Sequence, residues 1–214
     1  MCWNQEVSLN TFLFSSFVLL LIIYNNTYTQ YKIKEFKNVW GYLFFAVVFS
    51  IQLIEFFIWR NIKNVFYNHL FSLLAAFVVI IQPVVSLMII TNYKTRNMLI
   101  SLYLILAIPY SIYRLTTSKI ISTIAPNGHL QWYSKGDPLF VVIAWLFFFL
   151  FSFAYEKIWI GFWFGLITLI ITVYNYKNDH TIGSMWCWSV NSIMIYYAFY
   201  LLLYLPFCEK KSIC

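Results

Sequence analysis

Residues 38–60 read NVWGYLFFAVVFSIQLIEFFIWR, and this stretch decides the fold. A helix needs about 20 mostly apolar residues to cross the hydrocarbon of a bilayer. The apolar run from Val39 to Trp59 meets that length, and Arg60 closes it with a side chain suited to the headgroup level. Gln52 and Glu55 are the residues that do not belong in lipid. With Trp59 they are spaced i, i+3, i+7, which is one stripe of a helix. A charged side chain in hydrocarbon costs about 3 kcal/mol on insertion scales. The stripe is therefore expected to face a bundle interior, toward the third and seventh spans, with Glu55 hydrogen-bonded. The opposite face, with Ala46, Leu53 and Phe57, suits lipid or apolar packing.

Working outward, comparable runs occur at about 8–25, 66–92, 97–114, 138–155, 157–176 and 182–206. The reading is an all-α, polytopic membrane helical bundle of about seven transmembrane helices, one membrane domain over residues 1–214. Composition agrees: 62% hydrophobic against 10% charged leaves too little charge to cover a soluble domain of this size. The net charge of +7 comes from Lys and Arg scattered between apolar runs. They read as topology signals and headgroup contacts, and no basic stripe suggests nucleic acid. The third run is long enough to tilt. Pro109 is expected to kink the fourth. The fifth and sixth follow so closely that they form a tight hairpin. The N-terminus lacks the basic n-region of a cleavable signal peptide.

Orientation follows from the short loops. One side carries Lys32, Lys34, Lys37, Lys94, Arg96, Lys157, Lys210 and Lys211; the other carries Arg60, Lys63, Arg114, Lys119, Lys135 and Lys177. This places the N-terminus outside or lumenal and the C-terminus in the cytosol. The sequon Asn25-Asn26-Thr27 then lies on the cytosolic side, where it stays unmodified. Glu6, Glu55, Trp59, Asn68, all three histidines (His69, His129, His180), Trp132 and Trp188 map to the outer leaflet. Asn68, Ser72, Gln82 and Ser86 share one face of the third span, as do Ser184, Trp188 and Asn191 on the seventh. Arg114, His69, His129 or a tyrosine hydroxyl are the expected partners of Glu55. Trp59, Trp132, Trp186 and Trp188 suit either an interfacial belt or a pocket wall. Serine and asparagine on these faces suit interhelical bonding as well as ligand contact. Gly161 and Gly165 form a GxxxG pair, read as close helix packing or as a homodimer face. Cys2 and Cys187 share the outer side and are expected to be neighbours, bonded if the compartment oxidises thiols.

MCWNQEVSLNTFLF, QLIEFFIWRN, QPVVS, GHLQW and TIGSMWCWSVNS carry a resemblance. Together they look like an uncharacterised family of short multi-pass membrane proteins from large DNA viruses of protists and some algae and other microbial eukaryotes. The resemblance runs through most of the chain and implies a viral source, in a host endomembrane or viral membrane. It brings no assigned chemistry. Abundant Lys, Phe, Tyr, Ile and Asn also fit an AT-rich genome.

No motif for a cofactor or metal is present. The last span has neither the lysine of a retinal protein nor the HxxxH of a zinc hydrolase, and no cysteine pair has knuckle or CxxC spacing. The expected function is an outward-facing polar and aromatic pocket that binds or transports a small polar or cationic ligand. Its candidate ligand-binding residues are Gln52, Glu55, Trp59, Asn68, Gln82, His129, Trp132, Trp188 and Asn191, with the His129–Trp132 loop as a lid. The alternatives are a host-membrane scaffold or remodelling protein without a ligand, and an intramembrane enzyme acting on lipid. The enzyme would use Glu55 with His69, His129 or His180 as acid and base, or these with Cys187 as metal ligands.

Overall fold

The computed structural model describes residues 4–29, 32–36, 38–132 and 137–207. Its helices are α1 (Gln5–Tyr28), α2 (Val39–Arg60), α3 (Val65–Leu87), α4 (Tyr93–Thr117), α5 (Leu139–Tyr155), α6 (Trp159–Tyr176), α7 (Ile182–Asn191) and α8 (Ile193–Phe199). α7, α8 and a π-helical turn at Tyr200–Tyr204 make the last rod, Ile182–Phe207. Six rods are long and apolar enough to cross a membrane; α5, at 17 residues, is shorter. The result is an all-α membrane bundle with the expected helices. α3 ends at Leu87, short of residue 92, while α4 extends past both expected ends.

Four helix starts are written in asparagine. Asn4, Asn38, Asn64 and Asn92 each accept a hydrogen bond from the backbone N–H three residues on, at 2.9–3.2 Å. Asparagine is a strong N-cap because its carbonyl meets an amide the helix leaves unpaired. In a chain this apolar, these caps punctuate the runs.

α2 lies at the centre, packed on α1, α3 and α7. One end of the core is aromatic: Phe44 and Phe45 meet Phe149 and Phe153 of α5, and Tyr197 of α8. α4 and α6 are peripheral, burying little besides Leu99 and Tyr103, and Gly165 and Thr172. A Cβ on Gly161 would stand 2.7 Å from a ring carbon of Phe153, and one on Gly165 3.0 Å from Leu150. Both glycines thus serve close contact with α5 inside the chain.

Polar side chains act where water cannot. Ser86 of α3 donates to the Phe149 carbonyl and pairs with Ser152 of α5, both at 2.6 Å. Pro83 lies inside α3 and has no N–H for the Val79 carbonyl. That carbonyl accepts from Trp145 Nε1 of α5 at 2.8 Å, and the next one, Ile80, from the Tyr103 hydroxyl of α4 at 2.7 Å. Trp145 thus supplies the donor that the proline lacks, and Tyr103 adds a bond between α4 and α3 one residue on.

Candidate functional site

The α4–α5 connection is built rather than loose. Pro126-Asn127-Gly128 closes a hairpin in which Thr123 faces Gln131 and Ile124 faces Leu130. Gly128 takes a left-handed φ of 79°, its N–H reaching the Ala125 carbonyl, and Asn127 Oδ1 receives the His129 N–H. Such turns call for Pro, Asn and Gly in this order.

The hairpin sits on the end of the bundle where α2 and α6 finish and α3 and α7 begin. On the α3 side, Asn68 Oδ1 accepts from the Ser122 N–H at 3.0 Å and Asn68 Nδ2 donates to its carbonyl at 2.9 Å. Ser72 pairs with the Ser122 hydroxyl at 2.8 Å, and His69 Nδ1 bonds the Ile120 carbonyl at 2.8 Å. On the α7 side, Ser184 Oγ donates to the Leu130 carbonyl at 2.6 Å and Asn127 Nδ2 to Thr181 Oγ1 at 3.2 Å. His129 stacks edge-on against Tyr176, and burial lowers its pKa below the ordinary 6.5, with Asp179 opposing.

The hairpin's last described residue enters the bundle. Trp132 Nε1 donates to Glu55 Oε1 at 2.9 Å. Glu55 is 0% exposed and Trp132 6%. The indole lies against Gly183, where a Cβ would come within 3.1 Å of ring carbon Cε3. Around the pair lie Ile51, Ile54, Ile58, Ala75, Met185 and Cys187, with Trp59 and Trp188 at the edge. Glu55 therefore points inward and is bonded, as its stripe requires. This described donor was not among the expected partners. Arg114 pairs with Asp137 at 3.0 Å, and His69 is held by Ile120. Glu55 has no exposure, and the indole lies on the carboxylate.

Gln52 shares the face and is also 0% exposed, yet among the described residues neither its amide nitrogen nor its carbonyl oxygen has a hydrogen-bond partner. Trp59 Nε1 is likewise buried without one. Each unmet group costs roughly 1–3 kcal/mol. Among the expected residues, the structure gathers Gln52, Glu55, Trp59, Trp132 and Trp188 at one site. Asn68 and His129 belong to the attachment of the lid. Asn191 is a turn deeper and donates to the Cys187 carbonyl at 2.7 Å. Gln82, two turns beyond Ala75 on α3, is buried with Nε2 unpartnered. Cys187 is a free buried thiol; Cys2 lies outside the described residues, as does the contact expected of it. Among the described residues, no group of three or more His, Cys, Asp or Glu could hold a metal ion. The sequence reading missed Ser122, Thr181 and Gly183. The Pro-Asn-Gly turn was the signal for the hairpin; nothing local marks Gly183 as the floor under an indole.

Fold and site define a polytopic helical membrane protein with a sealed, carboxylate-bearing site under a hairpin lid. The chain matches no family model, no curated protein and no solved structure.

Proposed function

We propose that this chain binds, or carries across the membrane, a small polar or cationic ligand at Glu55, with the 120–132 hairpin as lid on the non-cytosolic side. The observation that carries this reading is Gln52. Its amide is buried a single turn from a carboxylate, and among the described residues no atom bonds it. Evolution removes such groups from bundles readily, since Leu or Met fills the same space without penalty. A ligand with complementary donor and acceptor atoms accounts for keeping them. Trp59 and Trp188 add aromatic edges that suit a cation. The resemblance to viral multi-pass proteins adds a host or viral membrane as the setting.

The test uses the protein in lipid nanodiscs. Thermal unfolding is measured with sodium, potassium, ammonium, choline and a series of protonated amines. Saturable stabilisation by at least one of these, abolished in Glu55→Gln, is expected. A panel with no effect, or a Glu55→Gln protein that responds as the wild type does, overturns the reading. One observation favours a ligand-free scaffold as the second reading: the lid is bonded on both flanks and its indole fills the site. A scaffold would ignore the panel but reshape liposomes.

A further inference from the structure

We infer that Trp132 is a tethered occupant of the Glu55 site, and that the ligand it stands in for is a small cation bearing an N–H donor on a planar apolar body, such as a protonated aryl-alkyl amine. The inference rests on the binding reading above and names the class of ligand and the device that keeps the site shut.

Three features of the contact support it. The first is chemical. Trp145 and Trp186 send their indole N–H groups to backbone carbonyls, of Val79 and Gly165, the latter shared with the Thr168 hydroxyl. Those are helix-joining contacts. Trp132 delivers its N–H to a buried carboxylate. A carboxylate prefers a charged donor, whose bond is shorter and about twice as strong. An ammonium N–H is therefore the better partner for the same oxygen. A quaternary ammonium has no N–H and cannot make this bond. The second is shape. The ring rests on Gly183, and any side chain there would press on ring carbons Cε3 and Cζ3. The slot accepts a flat apolar body and is kept clear by a residue with no side chain. The third is Gln52, which the indole leaves unsatisfied although it shares the Glu55 face. The occupant in place thus answers only part of the site's polarity.

The lid is also attached in a way that can be undone. Asn68, Ser72, Ser184 and Asn127 hold it through hydrogen bonds at the end of the bundle. Water can replace each of these once the hairpin lifts, so each bond is exchanged rather than lost. Interlocked helix faces offer no such exchange. A tethered group competes at an effective concentration in the millimolar range or above, so it masks the site from a weak ligand and yields to a stronger one.

The experiment compares wild type, Trp132→Phe and Gly183→Ala in nanodiscs. Trp132→Phe keeps a ring in the slot but removes the competing N–H. Gly183→Ala puts a methyl 3.1 Å from ring carbon Cε3 and crowds the slot for the indole and for a ligand ring alike. The probes are 2-phenylethylammonium and phenyltrimethylammonium, equal in charge and similar in shape, only the first having N–H. We expect 2-phenylethylammonium to bind Trp132→Phe at least about tenfold more tightly than wild type and Gly183→Ala no more tightly than wild type, with no gain for phenyltrimethylammonium in either. A second readout needs no ligand. With Cys2, Cys208 and Cys214 changed to serine, Cys187 beside the site should react faster with a small maleimide in Trp132→Phe, and 2-phenylethylammonium should protect it. In Trp132→Phe, equal gains for the two cations, no gain for either, or an unchanged rate at Cys187 overturn the inference. If neither probe binds but the wider panel stabilises the protein, the inference falls and the binding reading stands. If nothing in the panel acts, both fall.

Discussion

Replacing Trp145 by phenylalanine tests how the bundle tolerates a proline in its third helix. The change keeps the ring that stacks on Phe149 at 4.8 Å and meets Trp186 edge-on at 5.8 Å. It deletes the N–H that the Val79 carbonyl accepts at 2.8 Å. Pro83 offers that carbonyl no helical donor, so in the variant it is left without one. Hydrogen bonds between membrane helices average about 0.6 kcal/mol and reach about 1.7, and an orphaned group costs roughly 1–3. About 1.5 kcal/mol of destabilisation is expected. The discriminating step is a double-mutant cycle with Pro83→Ala. The alanine restores an N–H at position 83 that can bond Val79, so Trp145→Phe should then cost only about 0.5 kcal/mol. The coupling energy is about 1 kcal/mol. Equilibrium unfolding in mixed micelles on titration with SDS measures all four corners of the cycle. If Trp145→Phe costs the same within about 0.3 kcal/mol in both backgrounds, the indole is not replacing the bond lost at the proline, and the account of α3 is wrong.

Three further outcomes follow from the lid and the packing. Asn68→Ala strips the Ser122 carbonyl of its donor, while the Ser122 N–H keeps Ser72 Oγ at 3.1 Å, and should loosen the hairpin by about 1–2 kcal/mol; faster trypsin cleavage at exposed Lys119 with unchanged insertion would show it. Gly161→Leu drives a side chain into Phe153, already 2.7 Å from an ideal Cβ, and should cost at least about 1–3 kcal/mol, whereas Ala on the exposed face of α6, at Ile167, should cost far less in the same unfolding assay. Burial lowers the pKa of His129 below its unfolded value of 6.5, so the docked lid binds fewer protons than the free one. Its stability is complete above about pH 6.5 and falls as pH drops from there through the folded pKa; trypsin sensitivity at Lys119 should rise over that interval and be flat in His129→Asn.

The sequence by itself determined the membrane, the helices and the inward turn of Glu55. Each is a one-dimensional matter. A run of about 20 apolar residues has one economical conformation in lipid, because every backbone N–H and C=O must be met within the segment. The spacing of Gln52, Glu55 and Trp59 settles which residues share a face, and the cost of a carboxylate in hydrocarbon settles which way that face turns. The asparagines that cap α1 to α4 are equally local signals.

Only the tertiary structure decided what Glu55 meets. Arginine, histidine and tyrosine were the chemically obvious partners, and a donor the sequence did not suggest is an indole 77 positions away in the chain. It arrives because Ser122, Leu130 and Asn127 are bonded to α3 and to the start of α7, which fixes where Trp132 can reach. The same holds for Pro83. Its missing N–H is legible in the sequence, but that Trp145 makes up for it depends on how α5 lies against α3. Gly183 is the plainest case, since its meaning is the space it leaves, and that space exists only once an indole from another part of the chain is laid across it.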